Sequence, residues 1–347
     1  MERGKLIYII YLTSIILATF YLLAKIFQNE LTSSTAFRVV EIPSLQIGSE
    51  YSCPCKKVGE ELPHCPQNYI KIINDEGIFR RILVPNSSGI FDGVYICLPA
   101  TTVKINSYGL RDYEYSIEKP PNTYRIIVLG DSHTFGHGVE LNETYVKVLE
   151  NLLNMNKKEW KYEVINFGVP GYSMEEKVTL FKTKGLSLNP DLVILQYLSD
   201  DLINITEILE IQKELESNYM QEHKLLDLNT RIQLFQLATE IWLSHVTQKN
   251  WRDVWDKNAG NFLKELAELC KENNIKVVLL FLSGNEKEMR LLEQFAAENN
   301  WIMIKLTSFN SPKYFLNEKD KHYNALGHKL IAEGIYRELV SFGILPE

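Results

Sequence analysis

The sequence predicts an α/β fold: a five-stranded parallel sheet flanked by helices, with an N-terminal transmembrane helix and a small β-rich N-terminal region before it. Three observations predict this. Beyond Tyr124, short apolar runs alternate with longer segments of helical periodicity. Upstream, the apolar runs are short and broken by turn residues, and the chain opens on a continuous apolar stretch. The expected organisation is an anchor at 1–30, a β-rich cysteine-containing region at 31–118 and an α/β domain at 119–347, with a helical insertion at about 204–256.

From Leu6 to Phe27 the chain runs for about 22 residues with no charge before Lys25, the length needed to cross a bilayer's hydrocarbon core. A cleaved signal peptide has a shorter apolar stretch and a small-residue cleavage site. Here Ala18 and Ala24 are the small candidates, and no A-x-A pattern follows. A retained anchor is expected; a cleaved signal and a buried core helix are the alternatives. Arg3 and Lys5 favour a cytoplasmic N-terminus, while Lys25 and Arg38 weaken the asymmetry.

Cys53, Cys55, Cys65 and Cys97 cluster in the β-rich region, and disulfides persist outside the cytosol. They therefore favour a single-pass membrane protein with its main domain extracytoplasmic. Four cysteines allow two disulfides in three pairings. Zinc held by these thiolates and His64 is the rival, and free thiols are a third option. Cys270 falls on the apolar face of a helix and is expected to pack. The net charge of -7 argues against nucleic acid, because binding phosphates needs a basic surface. Sequons stand at Asn86, Asn142 and Asn204, about as many as chance provides.

Within the β-rich region, FRRILVPNSSGIFDGVYICLPA reads as hairpin material, with Asn-Ser-Ser-Gly and Asp-Gly as turns. The sheet strands are expected at Tyr124–Leu129, Tyr162–Ile165, Leu192–Leu195, Lys276–Leu282 and Trp301–Leu306. They are apolar throughout rather than alternating, as when helices cover both faces of a parallel sheet. NFLKELAELCKENN and NEKEMRLLEQFAAENN carry apolar residues at helical spacing, among them Phe262, Leu266, Leu269 and Cys270. The insertion, with Leu225, Leu228, Ile232, Leu234, Phe235, Leu237 and Trp242, reads as extra core packing or as a wall beside the active site.

Chemistry in open α/β sheets sits outside the carboxyl ends of the strands. The first strand ends in GDSHTFGHG, where Gly130 permits a sharp turn and Ser132 falls near the start of a helix. There Ser132 is either a nucleophile or a helix cap. A nucleophile needs a base. His64, His223 and His245 lie elsewhere, and His133 is expected to point away from its neighbour's hydroxyl; His137 also adjoins the serine. His322 and His328 follow the fifth strand in DKHYNALGHKLIAEGIY. Asp320, two residues before His322, is close enough to bond the ring and fix its tautomer, whereas His328 is expected to cap or pack.

GDSHTFGHGV at Gly130–Val139, NFGVPGYS at Asn166–Ser173, PDLVILQYLSDDL at Pro190–Leu202 and DKHYNALGH at Asp320–His328 occur in the order of four blocks. In this the chain resembles the SGNH hydrolases, also called GDSL esterases. INSYGLRDYEYSIEKPPNTYRIIVLGDS also looks like the approach segment of a membrane-associated subset resembling polysaccharide O-acetyl esterases and acyltransferases. The resemblance covers about residues 104–340 and implies a flavodoxin-like sheet. It further implies Ser132 as nucleophile, His322 as general base and Asp320 as its orienting acid, in a D-x-H variant of the usual DxxH. The Ser132 and Gly168 amides would be two arms of the oxyanion hole. Where the family carries Gly-x-Asn-Asp, this chain has Leu198, Ser199, Asp200 and Asp201. An ionised Asp200 accepts hydrogen bonds only, so as third arm it would oppose a developing oxyanion unless protonated or turned away, or unless Ser199 donates instead.

The expectation is therefore a membrane-anchored serine esterase or O-acyltransferase needing no cofactor or metal. It would act on acyl groups, chiefly acetyl, of an extracytoplasmic carbohydrate or similar polymer. A non-catalytic carbohydrate-binding or assembly protein on the same fold is the alternative, motivated by Asp200 and the cysteine cluster. A lipase is a weaker third, since no lipid-binding helix beyond the anchor is evident.

Overall fold

The computed structural model describes residues 69–75, 78–91, 101–155, 159–198, 201, 205–222, 234, 237–238, 240–242, 251–306, 311–317 and 320–346. The apolar segment Leu6–Phe27, the cysteines Cys53, Cys55, Cys65 and Cys97, and Ser199 and Asp200 lie outside the described residues. So do His64, His223 and His245. Among the described residues no helix is long and apolar enough to cross a membrane.

Two antiparallel hairpins come first. One pairs β1 (Ile70–Asp75) with β2 (Ile78–Leu83), the other β3 (Ser88–Phe91) with β4 (Thr101–Lys104). The Asn-Ser-Ser-Gly stretch thus joins two separate ribbons, β2 and β3, rather than the arms of one hairpin. Tyr69, Leu83, Phe91, Val103 and Ile105 form a small core that takes in Phe135 and Val169 from the main body.

The main sheet contains β5 (Thr123–Gly130), β6 (Lys161–Gly168), β7 (Leu192–Tyr197), β8 (Lys276–Phe281) and β9 (Ile302–Lys305). All pairings are parallel, in the order β6-β5-β7-β8-β9. All five expected strands are present. Every residue of β5 is buried, because each face of the strand meets its own core. Ile127 and Leu129 face one, Ile126 and Val128 the other. Each such side chain contributes about 1.5–3 kcal/mol by leaving water.

The helices are α1 (Ser132–Phe135), α2 (Tyr145–Met155), α3 (Met174–Leu180), α4 (Ile205–Glu222), α5 (Trp251–Trp255), α6 (Asn261–Glu272), α7 (Glu286–Glu298) and α8 (Ala325–Ser341). Helix α6 buries Leu263, Leu266, Ala267 and Cys270, one stripe at helical spacing, so Cys270 packs as its position predicts. Asn285 starts α7: its side chain accepts the N–H groups of Lys287 and Glu288 while Glu288 reaches back. Residues of α3, α6 and α7 pack on one sheet face and those of α2 and α8 on the other. Of the insertion, α4, α5 and a small cluster of Ile208, Ala238 and Trp242 are described.

Strand β5 has β6 on one side and β7 on the other, so successive connections leave it in opposite directions. The crevice at its carboxyl end is the position where open α/β sheets place ligands. Ser132 follows that end directly.

Candidate active site

Local sequence explains how the chain turns at Ser132. A side chain at Gly130 would collide with Thr134 and Gln196. Asp131 caps the one-turn helix α1: its Oδ1 accepts the His133 N–H at 2.8 Å. Gly136, at φ 86°, ends the turn in the left-handed conformation that glycine adopts without strain. Ser132 thereby stands at the start of α1, half-buried.

The far end of the chain meets it there. His322 Nε2 lies 2.7 Å from Ser132 Oγ, and His322 Nδ1 lies 2.6 Å from Asp320 Oδ1. Asp320 is fully buried and His322 is 7% exposed. The same Asp320 Oδ1 accepts the His322 backbone N–H at 2.8 Å. This closes the i→i+2 ring that aspartate side chains favour in turns, so a spacing of two residues brings carboxylate and imidazole together. Asn317 Oδ1 accepts the Asp320 N–H, and Leu316 N–H donates to His322 O, which closes the turn. Burial raises the Asp320 pKa, but the ring hydrogen bond and charge of His322 outweigh it and hold the carboxyl below its ordinary value. Because an ionised carboxylate only accepts, Nδ1 carries the ring proton and Nε2 is left as acceptor for the Ser132 hydroxyl.

The neighbouring histidines build the wall. His133 does not point away as expected: its ring stacks on His322 with centroids 4.5 Å apart, and meets Tyr323 edge-on. Stacking on the buried His322 ring outweighs the divergence of adjacent side chains in a helical turn. His137 lies 5.1 Å from His322 on another side and stacks on Phe91 from the β3–β4 hairpin. Burial, reinforced by the charge on His322, lowers His133 to about 4 and His137 well below its usual value. Both are neutral near pH 7. His328 packs, as expected: its Nδ1 accepts the Tyr145 N–H that opens α2, and burial lowers its pKa to about 3.

Gly168 requires a correction. Its N–H donates to Asn166 Oδ1 at 2.8 Å, so that hydrogen is already committed and is not offered to a substrate oxygen. The glycine serves close packing instead, since a Cβ there would overlap the backbone of Thr134 and Phe135 in α1. Asn166 Nδ2 donates to Thr134 O, tying β6 to the same turn.

Sequence reasoning missed the layer beneath Ser132. Gln196 of β7 accepts the Asp131 N–H at 3.0 Å through Oε1 and donates to Asp131 Oδ2 through Nε2. Lys177 of α3, wholly buried, lies 2.5 Å from Asp201 Oδ1 and 3.6 Å from Asp131 Oδ2. One ammonium thus serves two carboxylates. Burial and the Asp131 charge push Asp201 up to about 7 against the pull of Lys177, while Lys177 and the hydrogen bonds hold Asp131 low despite its own burial. One signal was available: Gln196 is the lone polar residue in an otherwise apolar strand. Arg81 of β2 donates to Pro170 O at 2.9 Å and fills the space beside Gly171, where φ is 73°. Among the described residues no cluster of histidine, cysteine, aspartate or glutamate could hold a metal.

The family described as GDSL-like lipase/acylhydrolase matches residues 126–335, more than half of the chain. The chain belongs to this family. A member of the GDSL family is an ester hydrolase in its basic chemistry, and a serine–histidine–aspartate relay at the end of the first sheet strand agrees with that. The fold is similar to an acetyl xylan esterase, AlAXEase, at 18% identity, with 62% of this chain and 99% of that one covered and a TM-score of 0.38. It is also similar to the lipase/acylhydrolase from Enterococcus faecalis (17% identity, 63% and 96% covered, TM-score 0.36). A third likeness is to the psychrotrophic esterase EstA from a Pseudoalteromonas species (13% identity, 64% and 98% covered, TM-score 0.43). These likenesses concern the fold alone. No curated protein matches the chain.

Proposed function

We propose that this GDSL-family protein is a serine esterase in which Ser132 is the nucleophile, His322 the general base and Asp320 the carboxylate that orients the ring. The observation that carries the reading is the unbroken relay from Ser132 Oγ through both His322 nitrogens to Asp320 Oδ1, at 2.7 and 2.6 Å. His322 Nε2 takes the hydroxyl proton as Oγ attacks the ester carbonyl. The imidazolium so formed is paired with Asp320; as the bond from the acyl carbon to the leaving oxygen breaks, it returns its proton to the alkoxide, which departs as the alcohol and leaves the acyl group esterified to Ser132 Oγ. A water, activated by His322 in the same way, releases the acid and restores the hydroxyl; a sugar hydroxyl in its place would make the reaction a transfer.

The Ser132 amide, at the N-terminus of α1, is the proposed donor to the oxyanion. The acyl group is proposed to be small, chiefly acetyl, on an extracytoplasmic carbohydrate or similar polymer. Support for this substrate comes from the four sequence blocks and the approach segment, and for the location from the Leu6–Phe27 stretch and the cysteine cluster.

Turnover of p-nitrophenyl acetate by the purified protein tests the serine mechanism. Ser132→Ala is expected to reduce kcat by about 10⁴-fold or more and to abolish fluorophosphonate labelling. Equal rates in the two proteins would leave the binding-module alternative standing.

A further inference from the structure

Arg111 is 1% exposed and lies ahead of the region that matches the family. Its Nη1 donates to Phe135 O at 3.0 Å and to Gly136 O at 2.6 Å; its Nη2 donates to Val139 O at 2.8 Å and to Thr102 O at 3.1 Å. The Phe135 ring lies under the guanidinium, 5.0 Å away. Burial lowers the Arg111 pKa to about 10, so the group remains cationic near pH 7. Three of the four carbonyls belong to the segment that starts with Ser132 and carries His137 against His322. Gly136 and Gly138, at φ 86° and 76°, give that segment its turns.

A single helical turn cannot hold itself together, because nucleation fixes several residues for one hydrogen bond. Helix α1 is four residues long. Its front is held by Asp131 and Gln196, its middle by Asn166, and its back by Arg111. The next residue, Asp112, does the same for β6: its Oδ2 accepts the Asn166 N–H at 2.7 Å, while Oδ1 pairs with Lys147 at 2.8 Å.

We propose that Arg111 is a positioning residue of the active site: by gathering the carbonyls of Phe135, Gly136 and Val139 it sets Ser132 Oγ against His322 Nε2. The segment before the family region is then a working part of the site rather than an appendage. This rests on the reading of Ser132 as nucleophile. A planar fork of donors reaches several carbonyls at once, whereas an ammonium at the end of a flexible stem reaches fewer. A loss of register at the nucleophile should fall on the chemical step, where a displacement of about 1 Å costs on the order of 10² in rate.

The test uses the full-length protein with Arg111→Met, Arg111→Lys and Arg111→Ala, each titrated with a fluorophosphonate so that rates refer to competent sites. With p-nitrophenyl acetate, Arg111→Met is expected to lower kcat by about 10²-fold with KM little changed. Arg111→Lys should retain more of kcat than Arg111→Met. Millimolar methylguanidinium should restore kcat several-fold in Arg111→Ala but leave wild type and Ser132→Ala unmoved. The proposal is overturned if folded Arg111→Met keeps wild-type kcat. A loss that merely follows the unfolded fraction in a thermal melt, without methylguanidinium rescue, overturns it as well. Wild-type activity in Ser132→Ala would instead overturn the serine reading beneath it.

Discussion

Replacing Asp320 by asparagine separates two functions of its carboxylate, because one oxygen performs both. Asp320 Oδ1 accepts the backbone N–H and the ring Nδ1–H of His322, at 2.8 and 2.6 Å. In Asp320→Asn the amide oxygen is the group able to take that place, since an NH₂ there would face two donors. The ring keeps its proton on Nδ1, and Nε2 still accepts from Ser132. What disappears is the charge that stabilises the imidazolium in the transition state. A hydrogen bond to a charged group contributes about 1.5–3 kcal/mol net, which converts to a roughly 10- to 150-fold loss in kcat. A triad whose asparagine imposes the wrong tautomer loses about 10⁴ instead. The new NH₂ would occupy the position of Asp320 Oδ2, which is buried and has no hydrogen-bond partner. A donor stranded there should cost about 1–3 kcal/mol of stability. Steady-state p-nitrophenyl acetate kinetics with a urea titration measure both. Asp320→Ala, which releases the ring, is expected to be much slower than Asp320→Asn. Equal losses in the two variants would refute the account of the shared oxygen.

Two further outcomes follow from the packing and the buried charges. Gly168→Ala places a Cβ against the backbone of Thr134 and Phe135, which cannot yield without moving Ser132; a stability loss of about 1–3 kcal/mol with slower fluorophosphonate labelling is expected, and normal labelling would show that α1 tolerates the shift. Asp201, raised to about 7 by burial and by Asp131, holds its proton in the folded state through the range where the unfolded chain ionises near 4. Its contribution to stability is therefore greatest below pH 4 and declines as pH rises toward 7, by up to about 1.4 kcal/mol per pH unit. Urea titrations from pH 4 to 7 should show a flatter profile for Asp201→Asn than for wild type, and parallel profiles would contradict the shared-lysine arrangement.

The sheet was legible because its physics is local. A strand covered on both faces has to be apolar along its length, and YRIIVL, LVIL and KVVLLFL could satisfy little else. Ser132, His322 and Asp320 were legible because each sits in a short motif whose spacing has a mechanical reason. The supporting residues were not. Lys177 follows Glu175 and Glu176 in a short helix and reads as a surface charge; only the fold shows it buried between Asp131 and Asp201. Three of the four carbonyls that Arg111 binds lie from 24 to 28 positions away, a separation that carries no periodic signal. The Gly168 amide differs for the opposite reason: its partner is only two residues away, where asparagine bonds its own backbone, and the motif's spacing alone does not distinguish that local bond from an oxyanion donor.

The nucleophile segment is held from every side by a different part of the chain. Gln196 from β7 takes the Asp131 N–H, Asn166 from β6 takes Thr134 O, and Arg111 from before the family region takes Phe135, Gly136 and Val139 O. Val169 N–H closes the set by donating to Gly130 O at 3.2 Å. None of these partners is a neighbour in sequence, so the segment has its geometry only in the assembled sheet. Its partner across the site, the turn from Leu316 to His322, is held largely within itself. The two halves of the relay are thus tethered separately; the rings of His133 and His137 pack against His322, and the reacting atoms meet at one 2.7 Å contact. Errors on either side must appear at that contact, as lost reactivity of Ser132, before they appear as unfolding of the sheet. Rate should therefore respond to substitutions around α1 more steeply than stability does, whichever of its tethers is cut.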